Sequence, residues 1–119
     1  MSDPDKSNFN TIIREIIKKS LFTERQIEII LKQKILLDVE FGVSKGAYYR
    51  QVAQSLSKFE SVYYTLILLQ AYDVILPDSD VISRLAEQLN VMKDGDFAPE
   101  NERQIVDVIQ KAVKQLVNM

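Results

Sequence analysis

The chain of 119 residues contains no cysteine and no histidine. Zinc sites built from thiolate or imidazole ligands are therefore excluded, as are nucleophiles that depend on a histidine base. Disulfide bonds are excluded too, which fits an intracellular protein. Because no phosphate-cradling glycine loop and no acid–base constellation is visible either, we expect neither an enzyme nor a bound cofactor.

Glycine and proline are scarce, with three of each, which argues against a turn-rich β fold. Long hydrophobic runs are also lacking. The longest nearly uncharged stretch, Ser61–Tyr72, is too short to span a bilayer. Residues 1–6 are polar and acidic, without the apolar core of a signal peptide. These observations predict a soluble, cytoplasmic protein without a membrane partner.

Apolar residues recur at helical spacing along most of the chain, which predicts an all-α, compact bundle of five to six helices. The first helix begins near Phe9, with Ser7 or Asn8 as its cap. Thr23 and Gln26 have the form of a capping box. A second helix should run from there to about Leu37, and the following segment to Val43 is ambiguous.

Ser44 is a good N-cap for a third helix, whose pattern continues without a breaker to Pro77. We expect one long helix, or two joined near Ser57. In its first half, four apolar residues share the predicted core side: Tyr48, Val52, Leu56 and Phe59. Its second half, 62–76, is apolar almost all round and should form the buried centre of the domain.

After the stop signal at 77–80 we expect a short helix, a loop and a final helix from about Glu100 to Val117. Taken together, the patterns predict a single domain over residues 1–119. It should begin with a flexible N-terminus (1–8), followed by a helix-turn-helix-like region (21–59). A central core helix (60–76) and a C-terminal helical pair (78–119) should complete it.

One stretch suggests a function. Residues 42–50 read Gly-Val-Ser-Lys-Gly-Ala-Tyr-Tyr-Arg, and residues 22–27 before them read Phe-Thr-Glu-Arg-Gln-Ile. This combination resembles the helix-turn-helix domains of sigma-factor region 4 and of small archaeal transcriptional regulators. The resemblance covers roughly residues 21–59 and implies a transcription regulator that binds double-stranded DNA. Asp38 stands where the family usually has an alanine at the contact between the two helices.

The residues themselves support the same interpretation. Gly42 can take the left-handed conformation of a tight turn, and the helix N-terminus capped by Ser44 favours phosphate. Arginine can pair with guanine, and glutamine with adenine, in the major groove. The predicted outer side holds Gly46, Ala47, Arg50 and Gln54, and its edges hold Gln51 and Lys58. Lys45 and Tyr49 flank this side and are expected to contact phosphates. Lys32 and Lys34 would provide additional phosphate contacts.

The charge distribution leaves two functions open. The net charge is −2, but residues 1–60 hold ten Lys/Arg against eight Asp/Glu, whereas 61–119 hold five against nine. A mildly basic first half suits DNA binding. The alternative is that the polar side of the third helix is an ordinary solvated face that does not bind DNA. In that case we expect the chain to be a helical adaptor or accessory subunit for another protein of the transcription or replication machinery.

Three further features are predicted to be structural. The carboxylate pairs Asp78/Asp80 and Asp94/Asp96 lack the spacing of a calcium loop. Most of the five tyrosines should lie in the core, with Tyr49 and Tyr64 as the exceptions. The final helix carries additional apolar residues that either pack within the bundle or form a homodimer through the C-terminal helices: Val106, Val108, Val113 and Val117.

Overall fold

A computed structural model describes residues 7–76 and 80–118 of the chain. This part is helical and contains no strand, as predicted. Its five helices are α1 (Thr11–Lys19), α2 (Glu24–Gln33), α3 (Lys45–Ala71), α4 (Val81–Met92) and α5 (Pro99–Asn118). Most of the predicted flexible N-terminus, and the predicted stop signal at Pro77, lie outside the described residues.

The helices are grouped into two compact units. The α2–α3 unit begins at Ser20, and the other unit combines α1 with α4 and α5. Within the first unit α2 packs against α3, and within the second α1 packs against α5. Fully buried isoleucines are found in both units, Ile29 in α2 and Ile12 in α1.

The predicted starts of α2 and α3 are confirmed by their hydrogen bonds. The Thr23 hydroxyl accepts from the amide of Gln26 at 3.2 Å, and the Gln26 side chain accepts in return from the amide of Thr23 at 3.0 Å. The Ser44 hydroxyl accepts from the amide of Ala47 at 3.2 Å. Each such cap contributes about 1 kcal/mol to helix stability. Both helices therefore begin directly after their capping residues, Thr23 and Ser44.

The predicted cap of α1 at Ser7 or Asn8 is wrong, because Asn10 takes that role. Its Oδ1 accepts from the amide of Ile13 at 3.0 Å. Its Nδ2 donates to the carbonyls of Met92 at 2.8 Å and Gly95 at 3.1 Å. Asn10 thus caps α1 and also attaches it to the end of α4, a long-range role that the local pattern does not reveal.

Helix α2 ends at Gln33, four residues before the predicted end. Ile35 follows it in the left-handed conformation, with φ of 59°. The amide of Leu36 donates to the carbonyl of Leu31 at 2.8 Å, and that of Ile35 donates to Lys32 at 3.0 Å. These two bonds define a Schellman motif, which satisfies the last carbonyls of the helix. The motif usually has glycine where this chain has isoleucine.

Replacing Ile35 by glycine is expected to raise the free energy of unfolding by about 0.5–1 kcal/mol. A left-handed residue with a Cβ costs roughly 1–2 kcal/mol, which exceeds the additional chain entropy that glycine loses on folding. The Ile35 side chain is 92% exposed, so little packing is lost. Urea denaturation measures the change.

Asp73, at the equivalent position after α3 with φ of 60°, provides the control. Aspartate tolerates this conformation better than a β-branched residue, so Asp73→Gly should stabilise the protein less. A loss of stability in Ile35→Gly would show that residue 35 is not strained.

Helix α3 is one continuous helix of 27 residues. This confirms the first of the two predicted alternatives, one long helix and not two joined near Ser57. The predicted burial of its second half is wrong, because Tyr64, Ile67 and Leu68 are each about 60% exposed. Helix lengths explain the difference. At 1.5 Å per residue α3 is about 40 Å long, whereas its partner α2, with ten residues, is about 15 Å long and covers only part of it.

Candidate nucleic-acid interface

The inward side of α3 is rotated relative to the prediction. Ser55 is fully buried, and its hydroxyl donates to the carbonyl of Gln51 at 2.8 Å. Gln51 is half-buried, and its Oε1 is buried without a hydrogen-bond partner in the described part of the chain. Leu56, predicted to be core, is 40% exposed. Ser55 therefore takes the core position expected of Leu56, and Gln51 turns toward the interior.

The outward side of α3 contains most of the residues predicted to read DNA. Gly46, Arg50 and Gln54 are exposed, and so is Ala53, which was not among the predicted contacts. Tyr49 is 59% exposed beside Lys45, whose ammonium group lies 5.8 Å from its ring centre. Gly46, Arg50 and Gln54 follow one another at steps of four residues, and so do Lys45, Tyr49 and Ala53, so the six residues form two adjacent rows on one side of the helix. Ala47 is half-buried at its margin.

Lys58 is not available as a phosphate contact in this arrangement. Its Nζ donates to the carbonyl of Leu21 at 2.7 Å and to the Gln26 side chain at 3.2 Å. It also lies 5.6 Å from the ring centre of Phe22. Lys58 therefore attaches the middle of α3 to the start of α2, a structural role not predicted from the sequence.

Lys32 belongs to a cluster of cations and aromatic rings beside the first turn of α3. The rings of Phe41 and Tyr48 stack with centres 5.9 Å apart. Arg25 lies 4.4 Å from the Phe41 ring centre, and Lys32 lies 5.4 Å and 5.3 Å from the two rings. The Gln33 side chain donates to the Tyr48 hydroxyl at 3.0 Å. Each exposed cation–π contact is worth about 0.5–1 kcal/mol, so the cluster fixes α3 relative to α2.

The connector between the two helices, residues 34–44, is longer than the turn of about 3–4 residues that is typical of a helix-turn-helix. Gly42 does not adopt the predicted left-handed conformation, since no described glycine has a positive φ. The left-handed turn lies instead at Ile35. Asp38 is exposed within the connector and is not at a helix crossing. Lys34, which caps the end of α2, is exposed.

The charge around this face is positive. No acidic residue occurs from Phe41 to Phe59, and the outward side of this stretch carries Lys45 and Arg50. The first turn of α3 has no acidic side chain, whereas α2 and α5 carry glutamates there. The positive end of the α3 dipole is therefore not compensated within its own first turn. An anion approaching Gly46 would be attracted by both the dipole and the basic side chains.

No group of three or more candidate metal ligands occurs in the described residues, which include Asp80, Asp94 and Asp96. Asp78 lies outside those residues. Asp80 precedes α4 but does not cap it with its side chain. It forms a hydrogen-bonded ion pair with Arg84, and this hydrogen bond lowers the pKa of the Asp80 carboxyl.

Tyr49 and Tyr64 are exposed, as predicted. Tyr63 and Tyr72 were predicted to lie in the core but are 57% and 79% exposed, which leaves only Tyr48 half-buried. Tyr63, Tyr64 and Tyr72 lie in the second half of α3 or at its C-cap, where no basic residue occurs, so they lack the cations that a single-stranded nucleic-acid platform requires. None of the helices in the described ranges has the length and apolar character needed to cross a membrane.

Comparison of the chain with protein-family models, curated proteins and solved structures finds no match. The resemblance to helix-turn-helix domains therefore depends only on the residues quoted above. The function is inferred from the geometry and charge of the α2–α3 unit.

Proposed function

We propose that the chain is a transcription regulator-like protein that binds double-stranded DNA through the outward face of the first half of α3. The observation that carries this proposal is the exposure of Arg50 and Gln54 next to the small residues Gly46 and Ala53. Small side chains let a helix approach a groove closely, and the two long polar ones can then reach base edges. The opposite side of the same turns packs within the α2–α3 unit.

The contacts divide into two kinds. Arg50 and Gln54 read bases, since both carry side chains that can make bidentate hydrogen bonds. Lys45, Tyr49 and Lys34 are exposed at the margins and contact phosphates, which fixes the orientation of the helix without reading sequence. Lys32 stabilises the start of α3 through its two aromatic neighbours.

Duplex binding should therefore be weak at physiological salt and strongly salt-dependent. Two to three phosphate contacts predict a slope of about −2 to −3 in a plot of log K against log salt concentration. Fluorescence anisotropy of a labelled random duplex, titrated with the full chain at several salt concentrations, measures this slope.

The adaptor interpretation predicts a different result in the same titration. An accessory subunit that binds another protein through an acidic or apolar surface has no affinity for the duplex. No anisotropy change at low salt, with a correctly folded protein by circular dichroism, would therefore refute DNA binding.

A further inference from the structure

The second half of α3 exposes a continuous apolar surface, called here the outer apolar face: Tyr63, Tyr64, Ile67, Leu68 and Tyr72. Each of these side chains is 57–79% exposed. Tyr63 and Ile67 are four residues apart, and so are Tyr64, Leu68 and Tyr72, the C-cap of α3, so the five form two adjacent rows on one side. The opposite side holds Phe59, Val62, Leu66 and Leu69, which are half-buried. The helix is therefore apolar on two sides, and the side with Tyr63 and Ile67 is the more exposed of the two.

The area of this face matches what a stable dimer needs. Three tyrosines of roughly 200 Å² each, at these exposures, contribute about 400 Å². Ile67 and Leu68, each about 60% exposed, add roughly 200 Å², which gives about 600 Å² per copy. Two copies would bury about 1,200 Å², the lower bound for specific, stable interfaces. The face is as large as the largest apolar patch of a typical monomer, about 300–600 Å².

Two polar side chains of the segment, Ser61 and Thr65, can be buried at little cost. The hydroxyl of Ser61 donates to the carbonyl of Ser57 at 3.2 Å, and that of Thr65 donates to the carbonyl of Ser61 at 2.9 Å. Both hydroxyls are thus satisfied inside the helix and do not depend on water. No charged residue occurs between Glu60 and Asp73, so the centre of the face lacks like charges that would repel a copy of itself.

We infer that the outer apolar face is the homodimer interface, occupied by the same face of a second copy of the chain. An uncharged, aromatic and aliphatic surface is typical of homodimers, and a twofold interface requires a patch that is compatible with itself. A membrane surface fits less well, because no lysine or arginine occurs from Phe59 to Leu76 to attract anionic lipids. This interface is formed by α3 and not by the C-terminal helices, for which the sequence predicted dimerisation.

Sedimentation equilibrium of the full chain should give a mass of two chains of 13.7 kDa at micromolar concentrations. Ile67→Glu places two unpaired carboxylates in a twofold interface and should raise the dimer dissociation constant by at least about 100-fold. Val108→Glu is the matched control, because Val108 of α5 is 61% exposed like Ile67 and belongs to the alternative interface. It should leave the dimer unchanged. Circular dichroism verifies the helical content of both variants.

A cysteine scan provides a second measurement, since the chain has no cysteine of its own. Ile67 lies at the centre of the face and should be near its counterpart when the two α3 helices cross or run antiparallel. A parallel pair would cover Arg50 and Gln54, because the outer apolar face lies on the same side of α3 as these two residues. Ile67→Cys should therefore form a covalent dimer on mild oxidation, and Val108→Cys should not. A monomer throughout the micromolar range, a dimer that Ile67→Glu leaves intact, or crosslinking only through Val108→Cys would overturn the inference. The test does not depend on DNA binding, because Arg50 lies about 25 Å along the helix from Ile67.

Discussion

Replacing Ile29 by alanine is expected to lower the free energy of unfolding of the α2–α3 unit by roughly 2–5 kcal/mol. Ile29 is fully buried and is the only residue of α2 with a buried side chain. Its removal leaves a cavity in a small core, so both the transfer free energy and the contacts across the cavity are lost. Urea denaturation followed by circular dichroism measures the change.

The chain offers a matched control in Ile35, which is the same residue type at 92% exposure. Ile35→Ala should change the stability by no more than about 0.5 kcal/mol, the range of ordinary surface substitutions. The contrast tests whether α2 is held to α3 mainly by this one side chain. Equal, small effects of the two alanine variants would contradict the packing of the α2–α3 unit.

Replacing Arg50 by alanine is expected to reduce the affinity for a preferred duplex, selected from a random pool, by roughly 5- to 150-fold. That range corresponds to the 1–3 kcal/mol of discrimination that one bidentate base contact supplies. The affinity for random duplex should fall much less. Lys45→Ala should weaken binding to both duplexes equally and make the salt slope shallower by about one unit.

Gln51→Met distinguishes a base contact from an inward-facing residue on the same turns. The Gln51 Oε1 is buried without a partner in the described residues, and removing such an acceptor relieves a desolvation cost of about 1–3 kcal/mol. The variant should therefore be more stable than the original chain and bind DNA with the same affinity.

Equal affinities of Arg50→Ala and the original chain for the selected duplex would exclude Arg50 as a base contact.

The elements that were predicted correctly are those specified by neighbouring residues. The capping box of Thr23 and Gln26 and the cap at Ser44 depend on a few adjacent side chains. The end of α2 was missed because its stop signal is an isoleucine in a position where glycine is usual. The tie between Asn10 and Met92 was missed because its partners are far apart in sequence.

The candidate interface was predicted in part, for a related reason. Arg50 and Gln54 lie opposite the apolar stripe that includes Tyr48 and Val52, so helical periodicity was sufficient to place them. Lys58 and Lys32 have partners on another helix or on the connector, and no periodicity reveals those partners. The apolar character of 62–76 led to the prediction of a buried centre. That prediction is wrong, because hydropathy does not indicate whether an apolar surface is covered within the same chain.

Titration of the ¹⁵N-labelled chain with a short duplex, followed by NMR amide shifts, tests most directly whether α3 contacts DNA with its first half. We expect the largest shifts at residues 45–54, weaker ones at Lys34, and none along α5. The shifts should disappear as salt is added. Amides that do not move at low salt, or that move only in α4 and α5, would contradict the proposed interface.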